Sequence, residues 1–553
     1  MGIVAGLDSS SAFTRIVVCD TDTGAVLRQG YAPHPVDPKA TEVDPQAWLL
    51  SLGEAAAGGL LEGVQAIGVA AQQHALIALD GQGALIRAAL TGNDKRAQVA
   101  AADLTDALGG REAWAKAVGC VPQAAQAVAK LRWLARNEPE TAQRTAAIVQ
   151  AHDWLVWQLL GRPARRTTDR GAASGTGYWS AATGFYRPDL VELALGHHVA
   201  LPEVLGPSDA AGTTPEGLLI SAGTGETMAA AFGLGVGPGD AVVSLGASGS
   251  VMAVHHEALA DPAGMITSFA DATGRHLPVV HTSNAVRALR GTAEMLGTES
   301  LEELSALALK STPGASGLVL LPYLEGERTP RLPHAAGTLA GLRRESMKPE
   351  HLARAAFEGM LCSLADALDV LRLRGVEVRR VFLLGAAAEL PAVQAAAPAI
   401  LGTQVVVPQP AEYAALGAAR QAAAGQPRRA HPAGLAGRGR AGLRAGRGAG
   451  RGAGGAPAVH RYARRDPPGR VRPGRLRSVL DRSFCIALGL IAWGCGGGVP
   501  QDGRPNPSIL PTRRAFTCSY DSCGPIWFRT RNRSRSWCCC SCSRPARPSI
   551  CRP

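Results

Sequence analysis

The sequence predicts an α/β fold of two related domains with a cleft between them, followed by a tail outside either domain. Three observations predict it. Short apolar runs alternate with helical patterns through residue 425, the grammar of sheets covered by helices. The unit that opens the chain, an apolar strand, a turn of small residues and a second apolar strand, returns near Gly237. After Gly425 no apolar period survives. On pattern alone, two unrelated α/β domains are the alternative.

The elements follow in order. Residues 1–30 read as two or three antiparallel strands, IVAGLD, TRIVVCD and AVLRQG, joined by tight turns. Gln46 to Gly63 has helical spacing, with Trp48, Leu49, Leu52, Leu60 and Leu61 near one face. A strand is expected at 64–71, then helices at Arg96–Leu108, Ala125–Asn137 and Asp153–Leu160. The second unit starts with the Gly-Pro-Gly-Asp turn at 237–240 and continues as VVSLGASGSVMAV. Helices at Ser283–Leu296, Leu301–Leu309, Lys348–Arg374 and Leu390–Leu401, and a strand at Val378–Leu384, complete it.

Charge and cysteine separate the tail from the body. Residues 426–553 hold 25 Arg, no Lys and 4 acidic residues, a net of +21; of the chain's 57 basic and 45 acidic residues this leaves 32 and 41 in 1–425, a net of −9. Nine of the 12 cysteines lie between Cys485 and Cys551, and only Cys19, Cys120 and Cys362 precede them. So few suit a reducing cytoplasm. No basic start followed by an apolar run is visible, and the longest apolar stretch, Phe484 to Cys495, is far short of the ~20 residues of a membrane span. The tail, rich in Arg, Gly, Ala and Pro, reads as disordered, whether it is frameshifted sequence, an inert extension or a segment that binds nucleic acid non-specifically. Cys538, Cys539, Cys540 and Cys542 are too tightly bunched for CxxC pairs.

Two turns carry candidate chemistry. In GLDSSSAFTR (6–15), Asp8 ends a strand and a serine-rich turn follows. Backbone N–H groups and hydroxyls in such a turn can cradle phosphate oxygens, and the carboxylate can hold Mg²⁺ through water. SLGASGS (244–250) is the same kind of turn at the head of the second domain. Either alone is most simply an ordinary hairpin. Facing each other across a cleft, the two could clamp a triphosphate.

Longer segments resemble the FGGY family of carbohydrate kinases, and within it the xylulokinases of actinobacterial type. GTLAGLRRESMKPEHLARAAFE (337–358) is an intact family signature. A second is partial: Lys130, Leu131, Trp133, Leu134, Arg136 and Asn137 match, and Ala125 and Ala127 depart. LPYLEGERTP (321–330) and GNDKR (92–96) also match. The resemblance covers residues 2–425.

It implies an actin-like (ribonuclease H-like) fold of two duplicated domains hinged over an ATP cleft. The sugar-binding domain would span 1–236 and the nucleotide-binding domain 237–425. The implied reaction is transfer of a phosphoryl group from MgATP to D-xylulose in the cytoplasm, without a membrane partner; a homodimer is compatible with it. Asp8, Ser10, Ser11 and Arg15 would serve the phosphates and Mg²⁺, facing Gly246, Ala247, Ser248 and Gly249. Gly385, Ala386 and Ala387 would lie against the adenosine. AAQQHAL (70–76) resembles the loop holding an open-chain ketose, which makes Gln73 and His74 sugar residues, with Asn93 and Asp94 beside them.

The base falls in SAGTGETMAAAFGLG (221–235), where the family has Asp and this chain has Glu226. The extra methylene moves the carboxylate by ~1.5 Å if the backbone stays put. Other departures are Gly92 for Trp, Ala172 for Asp, Ala247 for Thr, and GAAAE (385–389) for a glycine-rich turn. They point to an impaired kinase, or to a kinase-fold protein that binds sugar at most.

Overall fold

Two seven-stranded mixed sheets organise the computed structural model, which describes residues 2–425 and the two-residue strand His460–Arg461. The first runs Ala210–Thr213, Leu219–Ser221, Ala66–Ala71, Ile3–Ser9, Phe13–Asp20, Val26–Pro33, with Thr224–Gly225 also paired to Ala66–Ala71. The second runs Ile266–Ala270, His276–Thr282, Gly249–Ala253, Gly239–Leu245, Val378–Leu384, Gln404–Val407, His460–Arg461. Apart from that last strand, the expectations for 426–553 lie outside the described residues.

The repeat read from the sequence is visible in the registers. Ile3–Ser9 pairs antiparallel with Phe13–Asp20 on one side and parallel with Ala66–Ala71 on the other. Gly239–Leu245 pairs antiparallel with Gly249–Ala253 and parallel with Val378–Leu384. In each unit the small-residue turn therefore hangs from the end of a central strand. Ile3–Ser9 and Ala66–Ala71 are buried on both faces, which is why they read as continuous apolar runs rather than alternating ones.

Helices cover the sheets. Trp48, Leu52 and Trp154 pack on one face of the first sheet. On its other face lie Ala415, Ala419 and Ala422 of the helix Tyr413–Gly425. That helix also meets Glu226–Leu234 so closely that a Cβ on Gly233 would stand 1.8 Å from the Tyr413 carbonyl oxygen. The second sheet rests on the 25-residue helix Pro349–Leu373, whose Phe357, Met360, Leu361 and Leu364 are buried.

One element is shorter than its sequence pattern. The helix expected over Gln46–Gly63 ends at Ala55. Gly58, Gly59 and Gly63 take φ of +70°, +73° and +72°, left-handed values that glycine tolerates and a helix cannot use. Leu60 and Leu61 reach the same core through turns instead. No described helix is long and apolar enough to cross a membrane.

Candidate active site

Asp8 lies at the end of the central strand Ile3–Ser9, in register with Arg15 across the hairpin and Ala70 on the other side. It is 8% exposed, and its Oδ1 has no hydrogen-bond partner. Burial first, then the Glu226 and Glu412 carboxylates, push its pKa well above the usual carboxylate range, against the pull of Arg15. Arg15 itself pairs with Glu412 and lies 5.5 Å from the Phe13 ring centre and 5.1 Å from that of Tyr31. The Ser10 hydroxyl closes its own turn: it donates to the Phe13 carbonyl and accepts from the Ala12 and Phe13 N–H groups. Ser11 is exposed at the tip.

The second turn is open to solvent at Gly246, Ala247 and Ser248, while Gly249 is buried. Its carbonyls are anchored: Gly246 accepts from Val286 N–H, and Ala247 from Ala285 and Arg287 N–H. The third segment divides. Gly385 has φ +101°, and a Cβ there would stand 2.6 Å from the Leu245 carbonyl oxygen. Ala386 is exposed, but Ala387 is 4% exposed and part of the second sheet's core. Of this pair, only Ala386 presents its methyl to solvent.

The residues expected to meet the sugar follow the strand Ala66–Ala71. His74 takes φ +66°, a left-handed backbone unusual for a residue with a Cβ. Its ring lies 6.0 Å from Phe269, which belongs to the second sheet. Burial, then the Lys130 charge, push its pKa down to about 3, so the imidazole is neutral at physiological pH. The Gln73 backbone N–H faces the Glu226 carboxylate and pulls its pKa down. The Gln73 side-chain Nε2 is buried without a partner.

Glu226 opens the helix Glu226–Leu234 directly after Gly225, where a Cβ would stand 2.9 Å from Gln73 Cγ. A helix N-terminus favours an ionised carboxylate. Burial outweighs this and raises the Glu226 pKa. The Gln73–His74 loop and the start of this helix are thus in contact.

Asn93 and Asp94 are used differently. Asn93 is exposed and donates to the Pro38 carbonyl. Asp94, 2% exposed, is occupied by Arg96: its carboxylate accepts the Arg96 N–H at 2.8 Å and pairs with Nε at 2.6 Å. A Cβ on Gly92 would stand 2.9 Å from the Gln73 carbonyl oxygen, so this position presses directly on the Gln73–His74 loop.

Three contributors were not assigned roles from the sequence. Glu412 reaches Arg15 across 397 residues, and no local signal marks it. Asp169 accepts from Thr224 Oγ1 at 2.8 Å and so ties down the segment leading to Glu226; a helix-capping Asp after two threonines was its only signal. Lys130 was visible only as a signature position.

Residues 3–235 match the N-terminal domain of the FGGY family of carbohydrate kinases, and residues 241–425 match its C-terminal domain. The chain belongs to the FGGY family of carbohydrate kinases. It is similar to a xylulose kinase of Streptomyces coelicolor, 39% identical over 433 residues, covering 76% of this chain and 87% of that protein. The crystal structure of xylulose kinase from Bifidobacterium adolescentis superposes with a TM-score of 0.72 at 38% identity, over 77% of this chain and 92% of that one. The xylulose kinase structure from Rhodospirillum rubrum, at 24% identity and a TM-score of 0.76, covers 89% and 99% and shares the fold. This FGGY kinase has the two-domain architecture expected from its sequence, and its reaction class is carbohydrate phosphorylation.

Proposed function

We propose that the chain transfers the γ-phosphoryl group of ATP to D-xylulose, giving D-xylulose 5-phosphate and ADP. The observation that carries this is the contact between the Gln73–His74 loop and Glu226. It sets groups suited to an open-chain ketose against a carboxylate suited to receive a hydroxyl proton. The 39% identity to a xylulose kinase supports the same substrate.

Phosphoryl transfer asks mainly for positioning, charge neutralisation and a base. In this reading the sugar oxygen attacks the γ-phosphorus and its proton passes to Glu226. The bond from phosphorus to the bridging oxygen breaks, and ADP leaves. Neutral His74 would offer its unpartnered Nδ1 to a sugar oxygen. The Ser11 hydroxyl and the exposed turn 246–248 would face the phosphates.

Among the described residues no three His, Cys, Asp or Glu side chains gather as a metal cluster. Mg²⁺ in kinases needs only one or two carboxylates plus the nucleotide. The unpartnered buried oxygen of Asp8 fits that demand through water, and the ion would neutralise phosphate charge. A cytoplasmic setting suits a body in which Cys19, Cys120 and Cys362 are the three cysteines of residues 1–425.

A second reading, a kinase fold that binds sugar without turnover, is favoured by the longer carboxylate at Glu226 and by Ala247. A coupled ATP-consumption assay with D-xylulose, glycerol and gluconate decides. Slow turnover with D-xylulose preferred supports the first reading. Equal or better turnover of glycerol overturns the substrate, and D-xylulose binding without ADP release supports the second.

A further inference from the structure

We propose that Lys130 is a positioning residue that locks the two sugar-side segments together by gripping three backbone carbonyls. The role of these segments rests on the function proposed above. Lys130 projects from the helix Ala127–Asn137 and is 0% exposed. Its Nζ donates to the carbonyls of His74 at 2.6 Å, Thr91 at 2.7 Å and Leu90 at 3.1 Å. An ammonium has three N–H donors and no acceptor, so donor count and acceptor count match.

The arrangement is expensive as a mere packing device. Burying a cation costs several kcal/mol unless it is well bonded. A neutral apolar side chain would fill the same space in a helix whose Val128, Leu131 and Leu134 are core residues. Among the described residues no carboxylate forms an ion pair with Nζ; Asp94 attracts it but is bonded to Arg96. The charge is therefore directed at the carbonyls.

Their identity gives the charge its use. His74 holds its left-handed backbone at φ +66°, and the ammonium fixes its carbonyl. Leu90 and Thr91 lead into Asn93 and Asp94. Leu76 and Leu90 also exchange both backbone hydrogen bonds, so the two segments are already neighbours. Lys130 converts neighbours into one rigid unit.

The grip is pH-sensitive. Burial lowers the Lys130 pKa to about 7, with Asp94 raising it and Arg96 lowering it. His74, on the other gripped segment, is already neutral in that range. Along the helix, Arg132 and Arg136 are paired with Asp103. Deprotonation leaves two N–H donors for three carbonyls, so one is released as pH rises.

Peptide-resolved hydrogen exchange on the full chain tests this, comparing wild type with Lys130→Gln and wild type at about pH 6 with about pH 8.5 after correction for intrinsic exchange. Segments 72–79 and 89–96 should exchange ~10- to 100-fold faster in the variant, the loss expected for hydrogen bonds from a charged donor. They should also loosen together in the wild type at the higher pH, with segment 378–384 unchanged. KM for D-xylulose should rise by a similar factor while KM for ATP stays put. Unchanged protection in the wild type across this pH range, or equal loosening of 378–384, overturns the proposal. Joint loosening in a protein that turns over no D-xylulose leaves the grip standing and removes only the sugar assignment.

Discussion

A methyl group on Gly6 would stand 1.8 Å from the carbonyl oxygen of Ala415. The central strand of the first sheet and the helix Tyr413–Gly425 touch backbone to backbone. Gly68 meets the Ala418 carbonyl in the same way, at 2.0 Å. Two strands thus use glycine where a helix lies directly on them.

Gly6→Ala should therefore destabilise the protein by ~1–3 kcal/mol or more, since backbone rather than a flexible side chain must move. Gly53→Ala is the contrast. It is a helical glycine with nothing within 4 Å of its missing Cβ, and the change should stabilise by ~0.5–1 kcal/mol. Urea unfolding of both variants measures the difference; equal midpoints would mean that the helix does not press on Gly6.

Asp8 should trade stability for function. Its folded pKa lies above the unfolded value, chiefly through burial. The stabilising contribution of the protonated form is complete below the unfolded carboxyl value of ~4 and is lost as pH rises through the folded pKa. Asp8→Asn should then melt higher than wild type at neutral pH, with the gain vanishing toward acid pH. Its turnover should drop by ~10²-fold or more, as expected for lost electrostatic support of transferring phosphate. A lower melting temperature at neutral pH would contradict the burial argument.

Glu226 should set the acid limb of kcat/KM. A base works ionised, and burial raises this carboxyl, so activity should fall on acidification above the ordinary Glu range of ~4.3. Glu226→Gln should cost ~10²- to 10⁴-fold. Glu226→Asp should raise the rate if the extra methylene misplaces the oxygens. Unchanged rates in both variants would show that the proton goes elsewhere.

The nucleotide side separates by burial. Ala247→Thr adds a hydroxyl at an exposed turn and should tighten ATP about tenfold in calorimetry, the value of one good hydrogen bond. Ala386→Gly opens the surface at little cost. Ala387→Gly removes a core methyl and should cost ~0.8 kcal/mol of stability without improving ATP binding. If Ala387→Gly tightens ATP instead, that methyl faces the nucleotide.

The family resemblance pointed to the loop of Gln73 and His74 and to Glu226, and the structure added that Glu226 opens a helix. The sequence alone determined the two hairpin-headed units and the strand end carrying Asp8. These depend on apolar period and turn chemistry, which act between residues a few positions apart. The same local reading overran the first helix, because the glycines at 58, 59 and 63 express their effect only as backbone angles. It also treated Ala386 and Ala387 alike, since adjacent methyls look equivalent until the core claims one of them. Tertiary structure alone decided that Arg15 meets Glu412, that Asp94 is occupied by Arg96, and that Lys130 grips His74, Leu90 and Thr91. Such pairings form where packing brings distant segments within hydrogen-bond reach and excludes water from between them, and no periodicity along the chain encodes that distance.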